Sequence, residues 1–104
     1  MNLRHGLAVV FGGWMLIMPP PMGSQPGAPD VSAPLSKWAI QRNNLPSEAD
    51  CEQLKDRVVA MMGNPQMQAA FDSRQGQKLN WDHAVKFAEA EKCVESDDPG
   101  FRQN

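Results

Sequence analysis

The hydrophobic pattern divides the chain into three parts: an apolar run, a proline-rich stretch, and a region with helical periodicity. Residues 6–18 (GLAVVFGGWMLIM) carry no charge and follow Arg4. A membrane-spanning helix needs about 20 apolar residues. A shorter run behind a basic start fits the core of an export signal. Three prolines (Pro19, Pro20 and Pro21) follow and cannot continue a helix. The pattern therefore predicts a signal peptide over residues 1–24, with cleavage between 23 and 28, where Ser24 and Ala28 supply small residues. If it is not cleaved, the same run becomes an N-terminal anchor. A buried core helix is the poorer reading, because Gly12 and Gly13 interrupt it.

Residues 19–34 hold six of the nine prolines. Such a stretch buries too little apolar surface to offset its ordering entropy, so 25–34 is expected as an extended linker. Trp38 and Ile40 alternate with polar neighbours in 35–43, a weak strand-like pattern. No second strand pattern follows it, so the segment reads as an extended arm that lays Trp38 on the helices.

Ser47, Glu48, Ala49 and Asp50 resemble a capping box. Cys51, Leu54, Val58 and Met61 or Met62 then recur at steps of three and four, one face of a helix over 47–62. Gly63 stops it. Asn64 and Pro65 begin a short helix over about 65–72, with Met67, Ala70 and Phe71 as its apolar stripe. After a polar loop around Gly76, Asn80 caps a third helix. Trp81, Ala84, Val85, Phe87, Ala88, Ala90 and Val94 cover its apolar face over 81–94. The expected fold is all-α: an antiparallel helical hairpin within a domain of residues 35–100, followed by a loose tail at 101–104.

Composition narrows the function. The 104 residues carry ten Lys and Arg against twelve Asp and Glu, a net charge of −2. That balance speaks against a nucleic-acid partner. About 80 residues remain after signal removal, enough for one small domain and not for a multidomain enzyme.

Cys51 and Cys93 are the only cysteines. In an oxidising compartment an even count favours a disulfide. Antiparallel helices would bring the first turns of one to the last turn of the other, and so join the two thiols. Redox exchange uses a close Cys-x-x-Cys pair, which this chain lacks. A metal or redox carrier remains the alternative, built from Cys51, Cys93, His83 or the methionines Met61, Met62 and Met67, whose soft sulfurs suit Cu(I). Core packing is the simpler role for those methionines. Spacing supplies no catalytic set, and no cofactor is expected. Asp97 and Asp98, with Glu95, form an acidic turn after Cys93. Trp38, Trp81, Asp97 and Asp98 are the candidate partner-binding residues, since aromatics dominate binding hot spots.

Three short pieces carry a resemblance: Leu35-Ser36-Lys37-Trp38, Ala49-Asp50-Cys51-Glu52, and residues 93–99 (CVESDDP). Together they resemble an uncharacterised family of small exported bacterial proteins with a tryptophan arm, one cysteine in each of two helices and an acidic Ser-Asp-Asp-Pro turn. The resemblance implies export, to the periplasm or beyond the cell, and a disulfide; it transfers no catalytic residue. The sequence thus suggests an exported, non-catalytic module that binds another protein or serves as an accessory subunit, with no membrane attachment after signal removal.

Overall fold

The computed structural model describes residues 13–102. Residues 1–12, and with them the basic start and first half of the expected signal, lie outside the described residues, as do 103–104. The all-α expectation is wrong: the chain folds as α+β, with a three-stranded antiparallel sheet and three helices. The strands are β1 (Trp14–Met18), β2 (Ala39–Leu45) and β3 (Lys92–Glu95), in the order β2-β1-β3. The helices are α1 (Glu48–Met62), α2 (Pro65–Gln75) and α3 (Trp81–Glu89).

The central strand is the second half of the run expected as a signal core. Every residue of β1 is apolar because both faces of the strand are covered, so it shows no alternation. Leu16 and Ile17 are essentially sealed, at 1% and 0% exposure. On one face, Met15 and Ile17 pack with Trp38 and Val94, and Ala33, Leu35 and Phe101 close over them. On the other, Leu16 and Met18 face α1 and α3. Trp38 therefore covers the face of the sheet away from the helices, not the helices themselves. Its indole N–H donates to the Ala33 carbonyl at 2.9 Å.

β2 corrects the unpartnered arm. It pairs with β1 through two bulges: β2 runs from Leu45 to Arg42 against Trp14 to Leu16, then from Arg42 to Ile40 against Leu16 to Ile17. Each bulge adds one residue to β2 and increases its twist. Asn44 takes the left-handed conformation beside the first (φ 58°), a region this residue type tolerates.

The helix expected over 81–94 ends at Glu89. Ala90 caps it, and 92–95 pair in regular register with β1, from Ile17↔Lys92 to Trp14↔Glu95. Cross-strand pairing outcompetes the helical periodicity there, and Cys93 sits on a strand, not a helix. α1 follows its prediction, with the Ser47 side chain accepting from the Asp50 amide at 3.1 Å. α2 runs further than expected, to Gln75, where Gly76 closes it at φ 73°. Asn64 and Asn80 cap α2 and α3 as read from the sequence.

The proline-rich stretch is not an extended spacer. Pro21 and Pro29 form an antiparallel bridge, with Met22 N–H donating to Ala28 O at 2.9 Å and Asp30 N–H to Pro20 O at 2.8 Å. Nor is the tail loose at Phe101, which packs against the cluster of Met15, Ile17, Trp38 and Val94.

The expected disulfide joins Cys51, at the start of α1, to Cys93 in β3, with Cα atoms 6.0 Å apart and the two residues 42 positions apart in sequence. Cys51 is fully buried, and its Sγ lies 3.6 Å from the Met15 carbonyl oxygen. The bridge therefore clamps α1 down on the sheet beside the central strand.

Candidate functional site

Between the sheet and helices α1 and α3 lies a cleft of about 540 Å³. α1 supplies Leu54, Val58, Met61 and Met62, residues spaced on one face by the helical repeat. α3 supplies His83, Ala84, Phe87 and Ala88, and β1 forms the floor with Leu16 and Met18. Gln41 and Arg42 reach it from β2. The volume lies in the range of small-ligand sites, and the lining has their usual composition: apolar walls with a few polar groups.

One polar group stands apart. Glu91 follows the Ala90 cap of α3, its amide bonded to the Ala88 carbonyl at 3.2 Å, and this turn directs it into the cleft wall. The residue is only 3% exposed. Its Oε1 has no hydrogen-bond partner among the described residues. Burial pushes its carboxyl up to about 7, while the positive charge of Lys55 pulls in the other direction. A buried acceptor without a donor costs on the order of 1–3 kcal/mol, and a donor delivered by a ligand would offset that cost.

His83 is exposed at its backbone-capped position, with its ring Nε2 3.3 Å from the Asn80 side-chain nitrogen. Gly27 of the proline-rich turn backs onto this ring so closely that any Cβ there would collide with it.

The residues singled out from sequence are dispersed. Trp38 is core. Trp81 is half-buried; its indole N–H is shared between both oxygens of Asp72 at 3.1 Å, and it meets Phe71 edge to face at 5.6 Å. Asp98 caps the C-terminal turn by accepting from the Gly100 amide at 2.8 Å, and Asp97 is exposed beside it. The four do not converge on one surface. Of the carrier residues, Met61, Met62 and His83 do meet in the cleft, whereas Met67 lies outside its lining. Cys51 and Cys93 are consumed in the bridge. Among the described residues, no three His, Cys, Asp or Glu side chains group as metal ligands.

Glu91, Arg42 and Phe87 had no place among the candidate site residues. Glu91 sat within an expected helix as one charge among several, and nothing local distinguishes it. The signal that marks it, burial beneath α1 and α3, exists only once β1 is in the sheet.

The chain matches no family model, no curated protein and no solved structure. Its class therefore rests on fold and site alone: a small, disulfide-clamped α+β domain with an apolar cleft on the helical face of its sheet.

Proposed function

We propose that this protein is a small exported binding module, without catalytic activity, whose cleft receives an apolar segment of a protein partner. The observation that carries the reading is the cleft itself, with Met61 still 48% exposed at its edge. Flexible, polarisable methionines are suited to surfaces that accommodate a partner's side chains. Export is supported by the buried Cys51–Cys93 bridge, because disulfides persist in oxidising compartments. Among the described residues, no helix is long and apolar enough to cross a membrane.

The sheet adds a condition to export. Cleavage between 23 and 28 would remove β1, and with it Met15, Leu16 and Ile17 from the core. The exported chain therefore keeps residues 14–18. Intact mass of the protein recovered from its native envelope or medium checks this. A mass that includes Trp14 onward and lacks two hydrogens is expected; loss of about 25 residues would overturn it. For the cleft, a photo-crosslinker placed at Met61 should yield a polypeptide adduct, and the same group at Met67, which is 42% exposed but outside the cleft, should not. Equal labelling from both positions would refute the cleft as the docking site.

A further inference from the structure

We propose that the segment seated in the cleft presents a single lysine, whose ammonium donates to Glu91. The inference rests on the cleft being the partner site. Two independent observations carry it: an apolar cleft of about 540 Å³, and a glutamate in its wall that is 97% buried as a residue, with one carboxylate oxygen lacking any donor among the described residues.

The chemistry selects lysine over other donors. Its four-carbon stem lies comfortably along walls such as Leu54, Val58 and Phe87 while the head reaches a polar group. The compact ammonium needs few acceptors. A guanidinium would bring five N–H donors to a wall that offers one orphaned oxygen, leaving most of them unsatisfied in an apolar setting. Hydrogen bonds between ionised partners are about twice as strong as neutral ones, and more so away from water. The basic side chains around the cleft restrict the partner further. Arg42 of β2 and His83 of α3 line the same space, and Lys55 of α1 acts on Glu91 from outside hydrogen-bond range. They disfavour a run of basic residues, so the lysine stands alone among apolar neighbours.

The test uses the oxidised full chain and blocked pentapeptides in which leucines flank a central lysine, norleucine or glutamate. Binding is read from the methyl signals of Met61 and Met62. At pH 8 the lysine peptide should bind about tenfold tighter than the norleucine peptide, with the glutamate peptide weakest. Glu91→Gln should erase the lysine preference, so that the lysine and norleucine peptides bind alike. The unmutated chain provides the same test without a variant: lowering the pH from 8 to 5.5 should collapse the lysine preference as Glu91 takes up its proton. The norleucine peptide, titrated in parallel, corrects for pH effects common to both peptides. Equal affinity for lysine and norleucine at pH 8 would overturn the lysine while leaving the cleft intact. Failure of all three peptides to move the Met61 and Met62 signals would overturn the cleft reading itself.

Discussion

Glu91 ties stability to pH through its burial. Unfolded, its carboxyl titrates near 4.5; folded, near 7. Between these values the folded chain holds the extra proton, so stability falls as pH rises and levels off above about 7. The full penalty is on the order of 3 kcal/mol. Melting curves from pH 4.5 to 8 should therefore decline for the natural chain and stay nearly flat for Glu91→Gln; a flat profile for both would show that Glu91 is not buried as a charge. Trp38 is the second residue whose loss is diagnostic. It lies against Met15, Ile17 and Val94, and Lys92 sits 5.5 Å above its ring. Trp38→Ala should cost about 3–5 kcal/mol, enough to unfold a domain of this size at room temperature, as circular dichroism would report.

At the scale of elements, β1 decides the fold. Ile17→Asp places an unpaired charge in a fully sealed position and should abolish folding. Asp at Ile40, which is exposed on β2, should be tolerated. A soluble, natively bridged Ile17→Asp chain would mean that the strand is dispensable. The same strand explains what the sequence did and did not disclose. α1, the caps at Ser47, Asn64 and Asn80, and the Cys51–Cys93 bridge were legible, because each depends on local spacing or on cysteine count. The sheet was not. A five-residue strand buried on both faces has the same composition as the end of a signal core, so pattern alone assigns it to export. With β1 set aside, β2 had no partner and 92–95 had only its helical periodicity to read. One misassigned strand hid two others, and with them the cleft floor and the burial of Glu91. Met61, Met62 and His83 were still picked out, for their chemistry, before their shared cleft was visible.

For the whole molecule, the bridge and the sheet act on the same joint. Residues 51–93 form the loop closed by the disulfide, and in the chain-entropy model its closure is worth about 4 kcal/mol. Small domains have little more than this in total. Cys51→Ser, or reductant added to the natural chain, should therefore lower the melting temperature steeply; an unchanged melting curve would show that the sheet holds without its clamp. The strand order also governs when the molecule is able to fold. Trp14 pairs with Glu95, so the earliest described strand waits for nearly the last. During synthesis, or while the chain threads through a narrow pore, β1 and β2 emerge as a two-stranded pair, which is marginal in water on its own. The third strand and the cysteine it carries arrive together, after both of the others. A chain built this way cannot complete its sheet before residue 95 has passed, and it then gains its third strand and its covalent clamp in one step.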